Sequence, residues 1–180
     1  GAEGLIPVAA GAGGHAGTIS PFALIQEIRA WFDGPVALSG SIASGAAILS
    51  AQAMGADLAY IGSAFISTKE ARANDSYKQG IVDGKAEDII YTNLFTGVHG
   101  NYLKKSIENA GLDPHNLPES DPSKMNFGSG GNTKAKAWKD IWGCGQGIGN
   151  IDEVLSAGEL VAKYSEEYHT ASKRLNAITV

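Results

Sequence analysis

The chain has 180 residues, of which 43% are hydrophobic and 18% charged, so its length fits one domain or one and a half at most. A net charge of −5 with 14 Lys and Arg argues against a nucleic-acid partner, and the single Cys144 excludes an internal disulfide and a cysteine-rich zinc site. No apolar run reaches about 18 residues, so we expect no membrane span, no signal peptide and a cytoplasmic protein with no membrane contact.

The first 68 residues alternate between strand and helix patterns. Short apolar runs predict buried parallel strands, and runs with a 3.6-residue apolar period predict helices between them. The predicted elements are strand 5–10, a helix from Ser20 and Pro21 to Gly34, strand 35–39, helix 44–54 closed by Gly55, and strand 57–62. This order is typical of an α/β fold with a parallel sheet covered by helices.

The pattern changes after Lys69. Residues 70–112 are predicted to be helical, with Gly84 and Gly111 as stops, and residues 113–134 are predicted to be a long loop. A third segment ends in a helix over 152–176, which we expect to be broken or bent near Gly158. The acidic residues near His115 have irregular spacing, so we expect no metal site there.

Glycine accounts for 24 residues, about twice its usual share of ~7%. Three glycine clusters follow the three predicted strands, in residues 11–17 (GAGGHAG), 39–45 (SGSIASG) and 61–65 (IGSAF). Ligands of parallel α/β folds bind at this end of the strands. His15 is the one titratable side chain of the first cluster, and a plain glycine-rich turn with a solvent-facing histidine remains the alternative. The other histidines, His99, His115 and His169, are predicted to be surface or packing residues.

The second and third clusters favour an anion site. Backbone N–H groups in a strand-to-helix turn, together with the positive end of the next helix, bind phosphate without a lysine. Two such turns, one βαβ unit apart, are the arrangement that holds a cofactor phosphate in a (β/α)₈ barrel. A single turn of this kind is more often a structural turn without a ligand, so the prediction depends on the pair. A dinucleotide-binding fold fits less well, because the first cluster lacks the G-x-G-x-x-G register.

The runs GAGGHAG, PVALSGSIASG and GADLAYIGSAFISTKE, with the later YTNLFTGVHGNYL and KAWKDIWGCGQGIG, resemble the flavin-dependent nitronate monooxygenases, also called 2-nitropropane dioxygenases. The resemblance implies a (β/α)₈ TIM barrel that binds FMN and carries an inserted helical domain. The three predicted strands would be the sixth, seventh and eighth of that barrel. Residues 1–69 would then be the C-terminal part of the FMN-binding barrel, 70–134 the helical insertion and loop, and 135–180 the return to the barrel with the C-terminal helix. The first predicted strand of the chain already corresponds to the sixth of the barrel, so we expect the chain to lack the first five strands.

The resemblance also implies roles for individual residues. His15 matches the active-site histidine, and Gly13 and Gly14 match glycines that bring backbone up to the isoalloxazine. Ser41 stands where the family usually has glycine, and its N–H is retained. A further group of residues in the implied insertion would line the substrate pocket. The implied cofactor-binding residues are Gly13, Gly14, Ser39, Gly40, Ser41, Ile42, Gly62, Ser63 and Gln146, and the pocket-lining candidates are Tyr91, Asn93 and His99.

The implied activity is FMN-dependent oxidation of alkyl nitronates by O₂ to carbonyl compounds and nitrite. One alternative is an NAD(P)H-dependent flavin reductase of the same barrel family, acting on quinones or enoyl thioesters. Another is a non-catalytic fragment that needs a partner chain. We expect that partner to be the missing N-terminal half of the barrel, with a homo-oligomer as a further option, since three parallel strands leave an open edge.

Overall fold

The computed structural model of the chain describes residues 1–120 and 140–178. Short elements alternate along the chain, with a long helix at the end. They are β1 (Gly14–His15), α1 (Pro21–Arg29), β2 (Ala37–Ser39), α2 (Gly45–Met54), β3 (Leu58–Tyr60), α3 (Ser63–Ile66), α4 (Asp75–Asp83), a 3₁₀ turn (Ala86–Asp88), β4 (Ile89–Thr92), β5 (Gly100–Leu103), α5 (Lys104–Asn109), a second 3₁₀ turn (Gln146–Asn150) and α6 (Ala157–Asn176). No helix in these two ranges is long and apolar enough to cross a bilayer.

The predicted parallel arrangement of the first part is confirmed. β2 and β3 pair in parallel, with Ala37 opposite Leu58 and Ser39 opposite Tyr60. The predicted first strand is less regular, because residues 5–8 join β2 only through isolated parallel bridges of Leu5 with Val36 and of Val8 with Ser39.

Two helices cover one face of this sheet. Buried Ile25 and Ile28 of α1 pack with Val36 and Leu38 of the sheet and with Ala51 of α2. α2 follows its prediction closely: the Ser44 hydroxyl accepts a hydrogen bond from the Ala47 amide, and Gly55 ends the helix at φ 113°.

The prediction for α1 was wrong at its C-terminal end. The helix ends at Arg29 instead of continuing to Gly34, and the Trp31 side chain is 69% exposed. The apolar period includes Trp31, but this side chain contacts the Phe32 ring, with centroids 5.7 Å apart, and joins no apolar core cluster of the described residues. Ser20 precedes the helix without a side-chain cap hydrogen bond, so Pro21 is the stronger start signal.

The expectation of an all-helical segment over 70–112 was wrong. Residues Ile89–Thr92 and Gly100–Leu103 form an antiparallel hairpin, β4 and β5. β5 also pairs with β1, placing Gly14 opposite Asn101. The β-branched and aromatic residues of β4 suit a strand, and the sheet depends on this long-range pairing, which a local pattern does not reveal. The predicted loop is seen over 113–120, and its remainder lies outside the described residues.

The C-terminal helix differs from its prediction at the start. α6 begins at Ala157 and passes through Gly158 without a break. Ser156 and Glu159 form a reciprocal capping box, which fixes this start. Residues 152–156 precede the helix and are not part of it. Buried Leu160 and Tyr164 of α6 join the main apolar core.

Arg29 connects α1 to the sheet. Its guanidinium donates to the carbonyls of Phe32, Gly34 and Gly55, and to the Asp57 carboxylate at 2.6 Å. Asp57 also accepts from the Val36 amide at 2.8 Å. The Val36 hydrogen bond and the Arg29 guanidinium hold the pKa of Asp57 below its ordinary value.

We expect Asp57→Asn to reduce the free energy of unfolding at pH 7 and to have a smaller effect at pH 3. A carboxyl whose pKa is lowered by folding stabilises the native state above its unfolded pKa, about 3.9, and loses this contribution as the pH falls through the folded value. Urea titrations of both proteins at the two pH values measure the difference. An equal loss at both pH values would contradict a charge-based contribution.

Candidate active site

A cleft of about 270 Å³ lies at the carboxyl ends of the parallel strands. Its walls come from the three glycine clusters, from α4 and from the segment 141–147. The lining residues that the sequence had singled out are Gly13, Gly14, Ser39, Gly40, Ser41, Ile42, Gly62 and Ser63. His15 and Gln146 do not line the cleft, but each is the chain neighbour of a residue that does.

The first glycine loop is packed directly against the returning segment. A Cβ atom on Gly13 would lie 2.7 Å from the Gly145 nitrogen and 2.8 Å from the Cys144 Cα. The Gln146 amide donates to the Gly11 carbonyl at 2.9 Å. Gly13 is therefore required by contact with this chain's own backbone, whereas Gly14, at φ 70°, has open space where a side chain would be.

His15 is held at the edge of the cleft by the β4–β5 hairpin. Its Nε2 lies 3.0 Å from the Thr96 Oγ1, and its ring is exposed. The Asn101 side-chain amide, which is buried, donates to the Ala12 carbonyl at 2.7 Å. Antiparallel pairing of Gly14 and His15 with β5 completes the support. The β4–β5 hairpin thus positions the loop that carries the histidine.

None of the three pocket-lining candidates from the insertion borders the cleft formed by the described residues. Tyr91 and His99 stack with ring centroids 4.9 Å apart, and the Tyr91 hydroxyl donates to the Ala16 carbonyl. Asn93 is buried, and its side-chain oxygen accepts from the Ser120 amide. Tyr91 and His99 therefore support the chain next to His15, and Asn93 anchors a neighbouring loop.

The second and third clusters present backbone donors to the cleft. Within residues 1–120 and 140–178, the amides of Ser41, Ile42, Gly62 and Ser63 have no hydrogen-bond acceptor. A Cβ atom on Gly62 would meet nothing within 4 Å. The Ser63 hydroxyl accepts from the Gly145 amide at 2.9 Å and keeps its own hydrogen available to the cleft. This donor set suits an anion such as a phosphate.

The expected contribution of the α2 N-terminus to the anion site needs correction. The Gly45 amide already donates to the Glu167 carboxylate of α6 at 2.7 Å. An internal carboxylate therefore occupies the first amide of this helix, and its negative charge suits the positive end of the helix dipole. Glu167 is distant in sequence, so no local pattern could have indicated this contact. The donors left to an external anion are those of the turn before α2 and of the turn at Gly62.

Ser41 adopts φ 55°, the one positive φ at a non-glycine residue among the described positions. The left-handed conformation costs an L-residue about 1–2 kcal/mol, and a glycine loses about 0.4–1 kcal/mol more entropy on folding. We therefore expect Ser41→Gly to raise the free energy of unfolding by roughly 0.5 kcal/mol in a urea titration.

Ser50→Gly is the matched control for this substitution. Ser50 is exposed in the interior of α2, where glycine is unfavourable, so we expect a loss of about 0.5 kcal/mol. Destabilisation by both substitutions would mean that Ser41 is not strained.

The structure adds two residues that sequence reasoning missed. Tyr77 of α4 lines the cleft, donates to the Gly143 carbonyl at 2.6 Å and stacks on Trp142 with ring centroids 5.0 Å apart. Burial raises the pKa of Tyr77, so it remains a neutral phenol. Tyr60 lines the cleft from the end of β3. Strand alternation could have placed Tyr60, but no sequence signal joins Tyr77 to the glycine clusters.

Cys144 lies behind the first glycine loop and is fully buried. Burial raises the pKa of its thiol to about 12, so the reactive thiolate is scarcely populated at neutral pH. In the described ranges no three His, Cys, Asp or Glu side chains come together as a metal site would require.

A family profile described as nitronate monooxygenase matches residues 1–167. The nitronate monooxygenase of Paraburkholderia phytofirmans is 28% identical over 190 residues, covering 97% of this chain and 51% of that protein. The nitroalkane oxidase structure from Streptomyces ansochromogenes is 29% identical, with a TM-score of 0.75, covering 97% of this chain and 54% of that one. The structure of FabK from Thermotoga maritima has a TM-score of 0.77 at 24% identity, and the match covers 98% of this chain and 57% of that one.

The chain spans about half the length of the curated relatives that it matches. Its likeness to the solved structures extends over nearly all of its own residues. The fold is thus an α/β fold related to the TIM barrel, with the cleft at the end of the strands where such barrels place their active sites.

Proposed function

Because the chain belongs to the nitronate monooxygenase family, we propose that it carries the FMN-binding and catalytic residues of an enzyme that oxidises alkyl nitronates with O₂ to carbonyl compounds and nitrite. One observation carries the proposal. Unpaired amides from two neighbouring strand ends face a cleft, and the loop after the first strand presents His15 at the edge of that cleft.

The residues present fit the phosphate end of FMN. The amides of Ser41, Ile42, Gly62 and Ser63 would hold the phosphate, and the open space at Gly62 allows a group to approach the backbone closely. The open face of Gly14 offers a flat surface to the isoalloxazine. When bound, FMN supplies the redox chemistry, and the protein orients the substrate and excludes water.

His15 would handle the proton of the substrate. A neutral imidazole accepts the α-proton of a nitroalkane, and a protonated one stabilises the nitronate oxygens. His15 is an exposed residue, and its chain neighbour Gly14 lines the cleft. Thr96 and the pairing of β1 with β5 limit the movement of the ring and its backbone.

Further barrel strands would cover the face of the parallel sheet that lies opposite α1 and α2, and this face would become the barrel interior. Ile6 and Val8, with Leu58 and Tyr60, lie on this face with exposures between 41% and 62%. The register aligns Val8, Ser39 and Tyr60 in one row across the three chain segments. Such rows fill the interior of a (β/α)₈ barrel, and this supports the assignment of the three strands as the sixth, seventh and eighth. The partner would be the N-terminal half of the barrel.

The proposal is tested by incubating the purified chain with FMN, removing free flavin by gel filtration and recording the visible spectrum. A parallel sample is co-expressed with the N-terminal half of the Paraburkholderia relative. We expect bound flavin, anaerobic bleaching by a small alkyl nitronate, and nitrite release when O₂ is admitted.

Each outcome of this experiment discriminates among the candidates. Bleaching by NADH but not by the nitronate would favour a flavin reductase. Absence of bound flavin in both samples would contradict the assigned phosphate site. Sedimentation of the two samples reports whether the exposed sheet face pairs with the N-terminal half or with a second copy of the chain.

A further inference from the structure

The segment 141–147 packs against the glycine clusters through alternate residues. Three glycines of this segment border the cleft, and they are Gly143, Gly145 and Gly147. A Cβ on Gly145 would lie 2.5 Å from the Gly11 carbonyl oxygen and 2.9 Å from the Gly13 nitrogen. Backbone from a distant part of the chain therefore lies directly against the first cluster, with no side chain between them.

Gly147 makes the corresponding contact with the second cluster. The position of a Cβ on Gly147 is 3.0 Å from both the carbonyl carbon and the carbonyl oxygen of Ser41, and 3.1 Å from the Ala43 Cβ. Gly147 does not adopt the left-handed conformation, so glycine is required here by space and not by backbone angles. An alanine would have to displace the Ser41 carbonyl by a few tenths of an ångström.

Ser41 is held from two sides. Gly147 contacts its carbonyl group, and a Cβ on Gly11 would overlap its Oγ atom, so the hydroxyl occupies the space beside Gly11. A strained backbone conformation persists only where the surrounding structure fixes it. These two contacts therefore account for a serine that keeps φ 55°.

The Ser41 carbonyl and the Ile42 amide belong to one planar peptide group. A displacement of the carbonyl therefore also turns the Ile42 N–H, which has no acceptor among the described residues. None of the described residues that line the cleft carries a charged side chain. An anion in this cleft would depend on the direction of such amides, because it has no lysine or arginine to bind.

We propose that Gly147 is a positioning residue that fixes the Ser41–Ile42 peptide group and thereby directs the Ile42 amide towards the phosphate of FMN. The proposal rests on the proposed function in one respect, which is that the FMN phosphate binds at this turn. Gly145 supports the third cluster in a comparable way, since its amide donates to the Ser63 Oγ at 2.9 Å. The two turns are thus held in place by one segment.

The first measurement needs no flavin. The one-bond coupling between Cα and Hα is smaller at positive φ than at negative φ, so NMR spectra of the ¹³C,¹⁵N-labelled full chain report the Ser41 conformation. Gly149→Ala is the matched control for Gly147→Ala. Gly149 lies in the same 3₁₀ turn, and the atoms nearest to its Cβ position are 3.8–3.9 Å away. We expect a small Ser41 coupling in the unsubstituted chain and in the control, and a larger one in Gly147→Ala.

The second measurement compares FMN with riboflavin, which has the same isoalloxazine but no phosphate. Fluorescence titrations give both dissociation constants for the chain alone and for the chain co-expressed with the N-terminal half of the Paraburkholderia relative. Gly147→Ala should weaken FMN binding about tenfold, because a hydrogen bond to a charged group is weakened, and should leave riboflavin binding unchanged. Gly149→Ala should change neither constant. A general packing defect would weaken both ligands equally.

An unchanged Ser41 coupling in Gly147→Ala would overturn the proposal, as would equal losses of affinity for FMN and riboflavin. If Gly147→Ala does not fold, its combination with Ala43→Gly removes one close contact and keeps the contact with Ser41. If the unsubstituted protein binds neither flavin, the proposed function is contradicted. The Ser41 coupling then still decides whether Gly147 holds this peptide group.

Discussion

Exchange of His15 for asparagine is expected to lower turnover of a neutral nitroalkane by about 10²–10⁴-fold while FMN remains bound, because the α-proton of this substrate then has no general base. The imidazole lies at the edge of the cleft, and the candidate phosphate donors are backbone amides of other loops, so the two functions depend on different atoms. Steady-state nitrite release measures turnover, and the visible spectrum measures flavin occupancy in the same samples.

His169→Asn provides the control for a general effect of losing an imidazole. His169 lies on α6, where its ring contacts Tyr168 edge to face, and it does not border the cleft. We expect its turnover to match that of the unsubstituted protein. Full turnover in the His15 variant would remove His15 from the catalytic role, and loss of flavin from that variant would assign it a binding role instead.

A single methyl group on Gly45 should destabilise the fold by about 3 kcal/mol or more. The Cβ of Gly45→Ala would overlap the Tyr164 carbonyl oxygen and the Tyr168 nitrogen, which are backbone atoms of α6. Because backbone in the middle of a long helix cannot move aside locally, α2 and α6 would have to separate. The Glu167 contact with the Gly45 amide would be lost with them. Urea unfolding measures the change.

Gly158→Ala is the matched control, because it makes the same substitution in a helix with open space. Apart from its chain neighbours and its own helix backbone, no atom of a described residue lies within 4 Å of the position that its Cβ would occupy. We expect a gain of roughly 0.5 kcal/mol from the better helix propensity of alanine. Similar stability of the two variants would show that α2 and α6 tolerate separation.

The sequence predicts the first part of the fold well because its signals are local. Pro21 at the start of α1, the Ser44 cap and the left-handed Gly55 act within one turn of the chain. The β4–β5 hairpin could not be predicted in the same way, because β5 is held between β4 and the distant Gly14 and His15. The early end of α1 could not be predicted either, because Trp31 fits the apolar period but joins no apolar core cluster of the described residues.

The candidate site likewise has features that local sequence patterns predict and features that depend on tertiary contacts. The glycine clusters predict which loops border the cleft, because strand ends of a parallel sheet converge. The close approach of Gly13 to Cys144 and the Glu167 cap on α2 depend on tertiary contacts that leave no spacing signal. The assignments of His15 as catalytic and of the Ser41 and Ser63 loops as phosphate-binding stay predictions until flavin binding and turnover are measured.

Because Cys144 is buried, the reactivity of its thiol measures how tightly the residues around it are packed. A maleimide reaches this thiol only when the segment beside Gly13 separates from the first glycine loop. The labelling rate therefore counts local opening events at the cleft, and the chain contains no second cysteine to obscure the signal. A ligand that seals the cleft would slow the labelling, so occupancy could be followed by intact mass without any colour change.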